Sequence, residues 1–113
     1  MDETSSYAVK DLSQAEQGLR NIEFAEREMG ALMKVKERFA KEKPLKGLRI
    51  GSCLHITKET AVLIKTLIAG GADIAACSCN PLSTQDDVAA ALAKAGIRIY
   101  AYKGESKDDY YKF

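Results

Sequence analysis

From Ala15 onward the apolar positions fall at steps of four and three: Ala15, Leu19, Ile22, Ala25 and Met29. That spacing lines one face of an α-helix. Ser13-Gln-Ala-Glu16 stands at its start in capping-box form, with the Ser13 hydroxyl accepting an early backbone N–H and Glu16 reaching back. Gly30 is expected to end this helix in the left-handed conformation. A shorter helix carries Leu32, Val35 and Phe39 on one side and stops before Pro44, which lacks the N–H needed to continue it. The pattern thus predicts helices over 14–29 and 31–41. Ahead of them, residues 1–12 are polar with little periodicity and read as an arm.

The period then changes. Gly47-Leu-Arg-Ile50, Gly71-Ala-Asp-Ile74 and Gly96-Ile-Arg-Ile99 recur at intervals of 24 and 25 residues. Each opens a short strand-like run, around 48–53, 73–77 and 97–102. Between the runs lie helical patterns, with Ala61, Ile64 and Ile68 in the first and Val88, Leu92 and Ala95 in the second. Ser83-Thr-Gln-Asp86 offers an N-cap for the second. Such spacing is too long for hairpins and fits right-handed crossovers that build a parallel sheet. The expected class is α/β: a helical lead-in, then a three-stranded parallel βαβαβ unit over 48–102, within one partial domain spanning 13–113. The two leading helices are expected to cover one face or an edge of the sheet. Residues 105–113 read as another helix cut short, and a three-stranded sheet with an unfinished edge reads as a fragment.

Composition narrows the function classes. A chain of 113 residues holds one domain, and 46% hydrophobic with 29% charged residues is globular composition. Seventeen Lys and Arg balance sixteen Asp and Glu, so there is neither a nucleic-acid footprint nor a polybasic membrane patch. The apolar runs fall short of a membrane span. Met1-Asp-Glu-Thr4 has no signal-peptide character, which points to the cytoplasm. The odd set of Cys53, Cys77 and Cys79 is expected to stay reduced.

In open α/β sheets ligands bind beyond the carboxyl ends of the strands. Cys53-Leu-His-Ile-Thr-Lys-Glu-Thr60 follows the first strand and holds the only histidine; Ser78-Cys-Asn-Pro-Leu-Ser-Thr-Gln-Asp-Asp87 follows the second. Each residue also has a structural reading. His55 alone is compatible with a packed or merely exposed ring. Thr57, Glu59 and Thr60 are suited to helix capping. Asn80-Pro81 suits a turn, and Ser83 with Asp86 suits a cap. Cys53-x-His55 and Cys77-x-Cys79 together offer four soft ligands for zinc, although not at the spacing of ordinary zinc modules; no metal is assigned. No glycine-rich dinucleotide fingerprint, P-loop or nucleophile elbow occurs.

At these loops the sequence also resembles a known family. Val9-Lys-Asp-Leu-Ser13, Glu42-Lys-Pro-Leu-Lys-Gly47, Gly51-Ser-Cys-Leu-His-Ile-Thr-Lys-Glu-Thr-Ala61, Cys77-Ser-Cys-Asn-Pro-Leu-Ser-Thr-Gln-Asp86, Ala93-Lys-Ala-Gly-Ile97 and Tyr102-Lys-Gly-Glu105 are similar to the start of the S-adenosyl-L-homocysteine hydrolases. The resemblance implies the first part of a Rossmann-like substrate domain in a cytoplasmic, homotetrameric, NAD-dependent enzyme of the methylation cycle. That enzyme reversibly splits S-adenosylhomocysteine into adenosine and homocysteine. By resemblance, Leu54, Thr57 and Glu59 bind the adenine, His55 is catalytic near the ribose and the departing sulfur, and Asn80 and Ser83 line the ribose and homocysteine side. Gln85 and Asp86 belong to the same motif, but capping accounts for them. Asp87 stands where many relatives carry histidine, and Pro81 where others carry an apolar residue. The family's NAD domain and its other catalytic residues have no counterpart in these 113 residues, so the chain alone is expected to be inactive. The alternative is a free-standing, noncatalytic nucleoside-binding or interaction module. Adenine and a deaminated purine stay open, with Glu59 favouring an amine donor.

Overall fold

A computed structural model describes residues 6–113. The first five residues of the expected arm, and with them the reading of Met1–Thr4, lie outside the described residues. After a 3-10 turn at Leu12–Gln14 come helices α1 (Ala15–Glu28) and α2 (Gly30–Glu42). Strand β1 (Arg49–Cys53), helix α3 (Lys58–Ala69), strand β2 (Asp73–Cys77), helix α4 (Asp86–Lys94), strand β3 (Arg98–Tyr100) and helix α5 (Lys107–Lys112) complete the order. The three strands form one parallel sheet in the order β1-β2-β3. The α/β class and the βαβαβ order expected from the repeat are what the structure has.

The repeat works through its glycines. Gly47, Gly71 and Gly96 all take positive φ, at 86°, 100° and 88°, so each turns the chain into the strand that follows. At Gly71 there is a second reason: a Cβ would meet the backbone of Lys46, 2.9 Å from its Cα. Beyond the glycines the isoleucines of the repeat fall into register. Ile50 pairs with Ile74, and Ile99 pairs with Ala76.

Alternation then divides the sheet into two faces. Ile74, Ala76 and Ile99 are buried beneath α3 and α4, against Ala61, Ile64, Val88 and Leu92. Both crossover helices lie on this one side, as right-handed connections between strands in sequential order require. The opposite face presents Gly51, Cys53, Ala75, Cys77 and Tyr100 in an open depression of about 270 Å³, with Phe113 at its edge.

Several expectations change. The leading helices cover neither face nor edge of the sheet. They pack as a further layer on the crossover helices, α1 against α4 and α3, and α2 against α3. The cap ahead of α1 belongs to Asp11, whose carboxylate accepts from the Ser13 N–H (3.0 Å) and hydroxyl (2.6 Å); Ser13 donates instead of capping. Gly30 does not end α1. The break falls at Met29 (φ −113°, ψ 53°), and Gly30 begins α2. The left-handed residue is Lys43 (φ 50°), whose N–H closes α2 on the Phe39 carbonyl at 2.8 Å. The arm also takes part in the sheet: the Ala8 N–H donates to the Ile99 carbonyl (2.8 Å), and the Ala101 N–H donates to the Ala8 carbonyl (2.9 Å). Ala8 thus covers part of the β3 edge as a parallel bridge to Tyr100.

Candidate functional site

The two βα loops are joined by backbone hydrogen bonds before any side chain matters. The Leu54 N–H donates to the Cys77 carbonyl (3.2 Å), the Cys79 N–H to the Leu54 carbonyl (3.4 Å) and the Gln85 N–H to the Ile56 carbonyl (2.9 Å). Ile56, fully buried, anchors the first loop in the core. With Ile56 turned inward, the flanking Leu54 and His55 are exposed at the rim.

There the His55 Nδ1 meets the Ser83 Oγ at 2.6 Å, the donor being set by the ring tautomer. Ser83 is in turn placed by its own loop. The buried Ser78 hydroxyl donates to the Asn80 carbonyl (2.7 Å), accepts the Asn80 N–H (3.2 Å) and lies 3.4 Å from the Ser83 hydroxyl. The Asn80 Oδ1 accepts the Leu82 N–H at 2.7 Å, folding the Asn-Pro turn. His55, Ser83 and Asn80 therefore form one polar cluster beyond β1 and β2, where an open parallel sheet binds its ligands.

Thr57 caps α3 and donates its backbone N–H to the His55 carbonyl (3.0 Å), and Glu59 sits on the first turn; among the described residues no side-chain hydrogen bond joins either to that cluster. The Thr57 Oγ1 accepts the Thr60 N–H at 3.4 Å, capping the helix, and donates to the Thr60 hydroxyl at 3.3 Å. Glu59 is exposed and pairs with Lys58 at 3.4 Å. Its own backbone N–H outweighs the opposing effect of burial and, with lesser help from Lys58, holds its carboxyl below the usual carboxylate range. An ionised acceptor at a helix N-terminus is well placed to take a hydrogen bond from a ligand donor.

The sequence reading misplaced two roles in the second loop. Ser83 does not cap α4, because its hydroxyl is engaged with His55; the residue at the cap is Gln85, with no side-chain cap bond. The Gln85 Oε1 instead accepts the Lys58 N–H at 2.8 Å, tying the α4 entrance to the start of α3. Asp86 likewise accepts the Lys103 N–H at 2.9 Å. A cleft of about 510 Å³ opens beside these residues, lined by Lys58, Ser83, Thr84, Gln85, Asp86 and Lys103 among others.

One residue of the constellation escaped notice as chemistry. Glu105 is buried, and its Oε2 accepts the Tyr102 N–H (3.4 Å) while its Oε1 has no partner. Burial pushes its carboxyl above the ordinary range. The Gly104 and Glu105 N–H groups both donate to the Pro81 carbonyl (2.8 and 3.1 Å), so this turn buttresses the Asn80–Ser83 loop from behind. Its only signal in the sequence was membership of the Tyr102-Lys-Gly-Glu105 segment.

The zinc arrangement does not assemble. Among the described residues no group of three or more His, Cys, Asp or Glu side chains is placed to hold a metal, and His55 faces Ser83 rather than the cysteines. A dinucleotide also lacks a seat among the described residues. The turn after β1 carries the Leu54, His55 and Ile56 side chains where a pyrophosphate needs glycine backbone. No helix among the described residues is long and apolar enough to cross a membrane.

Comparison with known proteins bears on the chain's family. An adenosylhomocysteinase of Sulfolobus acidocaldarius is 65% identical over 105 residues, covering 93% of this chain and 25% of the relative. One of Pyrococcus abyssi is 51% identical over 110 residues, covering 97% and 26%. A protein of Methanocaldococcus jannaschii named S-inosyl-L-homocysteine hydrolase is 51% identical over 106 residues, covering 94% and 26%. The chain thus spans about a quarter of the length of the curated relatives it matches. The family model described as S-adenosyl-L-homocysteine hydrolase matches residues 6–113. With both βα loops inside that match, the chain belongs to the S-adenosyl-L-homocysteine hydrolase family.

Proposed function

We propose that this chain forms the purine and ribose wall of an enzyme that reversibly cleaves S-adenosyl-L-homocysteine into adenosine and homocysteine. The observation that carries the reading is the 2.6 Å contact between His55 and Ser83, which joins the two loops that bear every proposed site residue. Leu54, 40% exposed, gives the purine an apolar surface. Thr57 offers a hydroxyl to the ring edge once its weak capping bond yields. Glu59, ionised, accepts the exocyclic amine. Asn80 and Ser83 face the ribose and homocysteine side, and His55 holds or moves a proton there, with Ser83 fixing its ring.

The family's chemistry is that of NAD, which does not fit the described residues, and no step of these residues runs through it. Alone, the chain binds a nucleoside and does not turn over its thioether. The family also supplies the expectation of a cytoplasmic homotetramer. The M. jannaschii relative's printed name favours a second reading, in which the purine is hypoxanthine. Glu59 weighs against it, since a carboxylate attracts an amine and repels a carbonyl oxygen at the same ring position.

Calorimetric titration of the chain with adenosine, with inosine and a Glu59→Ala variant alongside, tests the proposal. Adenosine is expected to bind more tightly than inosine, and Glu59→Ala to lose about tenfold or more, the worth of one charge-assisted hydrogen bond. A folded chain that ignores adenosine, or a variant that binds it unchanged, overturns the proposal. Tighter binding of inosine selects the second reading.

A further inference from the structure

Cys53 and Cys77 are the last residues of β1 and β2, and the register sets them directly opposite each other across the parallel pair. Both lie on the sheet face without helices and line its open depression. Adjacent strands run about 4.8 Å apart, inside the roughly 4.4–6.8 Å between Cα atoms that a disulfide spans. The Cys53 thiol is near enough to raise the Cys77 thiol above its ordinary range. Cys79 differs: it lies beyond the strands, where its N–H donates to the Leu54 carbonyl and its carbonyl accepts the Tyr110 hydroxyl. It is not among the residues lining the depression.

We propose that Cys53 and Cys77 are an oxidisable dithiol, a modification site that reacts with a low-molecular-weight disulfide and closes to an intramolecular bond. The exposed Cys53 is the entry point. Its thiolate attacks one sulfur of the reagent disulfide, forming a mixed disulfide and releasing one thiolate, which takes a proton. Cys77 then gives its proton to solvent and attacks the Cys53 Sγ, expelling the second reagent thiol. Two electrons pass from the protein thiols to the reagent, which leaves as two thiols. Burial and the neighbouring Cys53 push the Cys77 thiol up to about 11, so closure is the slow step.

The bond is of the reversible kind. In a directly opposed parallel pair the Cβ atoms stand about a strand spacing apart, wider than the roughly 3.8 Å a relaxed disulfide prefers. Closing that gap stores strain, which makes a disulfide easier to reduce. The pull falls on strand ends, where the Leu54–Cys77 backbone bond leads into the His55 loop and Ser78 into the Ser83 loop. Oxidation therefore acts at the base of the polar cluster, whatever ligand that cluster takes.

The test incubates the 113-residue chain with glutathione disulfide at mildly alkaline pH and reads the intact mass and the peptides. Loss of two hydrogen masses, restored by dithiothreitol, is expected. A Cys79→Ser variant should still close, which assigns the bridge to Cys77. A variant carrying both Cys77→Ser and Cys79→Ser, which removes the other exposed thiol, should stop at one glutathione adduct on Cys53. Stable glutathione adducts on the unsubstituted chain without closure, or failure of Cys79→Ser to close, overturns the proposal. Neither readout involves nucleoside binding, so the result stands apart from the titration above.

Discussion

Glu105 and Asp11 are carboxylates that the fold pushes in opposite directions. The Ser13 hydroxyl, then the Ser13 N–H, hold Asp11 below its ordinary value of 3.8. Its contribution to stability is therefore present above that value and is lost as pH falls through the lowered one. Glu105 has the reverse sign. Burial raises its carboxyl above the ordinary 4.5, and among the described residues no cation offsets it: the Tyr102 N–H is its one donor there, and Asp109 adds a like charge. Its contribution is full below 4.5 and is lost as pH rises through the raised value. Glu105→Gln should remove that part of the pH dependence while the amide oxygen keeps the Tyr102 bond. Urea midpoints measured from pH 4 upward, at intervals of about one unit, should fall with pH in the parent more steeply than in the variant. Parallel curves would show that the carboxyl titrates as it does in water. His55 and Ser83 entered the candidate site through the family resemblance, since by type each also had a structural reading, and the structure brings the two side chains together. Glu105 was not legible, because a glutamate in a polar turn ordinarily points to solvent and only burial changes its meaning.

At the scale of elements, the helical period of α1 was legible but its buried stripe was misjudged. The spacing put Leu19 on the inner face, whereas Leu19 is 46% exposed and Gly18 is buried beside Ala15, Ile22 and Ala25. The reason is close approach. A Cβ on Gly18 would lie 1.7 Å from the Asp87 carbonyl oxygen and 2.4 Å from its carbon. α1 rests on α4 at this glycine, and the Asn21 amide then reaches the Asp87 carboxylate at 2.5 Å. A reading weighted by hydrophobicity passes over a glycine, yet here the missing side chain makes the contact. It also gives Asp87 a role of its own in joining two helices. Gly18→Ala should cost about 3 kcal/mol or more, since overpacking against backbone cannot relax by a rotamer change. Chemical denaturation of the variant measures it, and a loss below about 1 kcal/mol would mean that the helices separate freely. At the β3 edge, Ala8→Pro removes the donor to Ile99. It should cost about 1 kcal/mol, the net worth of one backbone hydrogen bond; an unchanged denaturation midpoint would mean that the arm adds nothing. That pairing was invisible in the sequence because one residue of backbone bridging carries no side-chain pattern.

Across the whole molecule, stability is unevenly layered. The glycine repeat made the parallel order of the strands legible, since a residue of positive φ ahead of each strand is a local requirement. The stacking of layers was not, because helix amphipathicity names a buried face without naming what covers it. Among the described residues β2 is paired on both sides and carries Ile74 and Ala76 into the core, while β1 has a partner on one side only. α1, α3 and α4 each contribute buried residues to that core. α2 contributes none; Leu32 and Met33 are only partly buried against it, and Val35 is 40% exposed. Little apolar area is thus exposed to water when α2 lifts away from α3, and its opening does not disturb the sheet. Elements of this kind unfold locally below the global free energy. Amide hydrogen exchange should therefore show interior α2 amides exchanging at least about tenfold faster than those of α4 and β2, a difference of about 1.4 kcal/mol in opening free energy. The comparison must exclude the first and last turns, where fraying speeds exchange in any helix. Equal protection of α2 and α4 would mean that the outer layer and the core open as one unit, and that the partial burial of Leu32 and Met33 suffices to bind α2 into the cooperative fold.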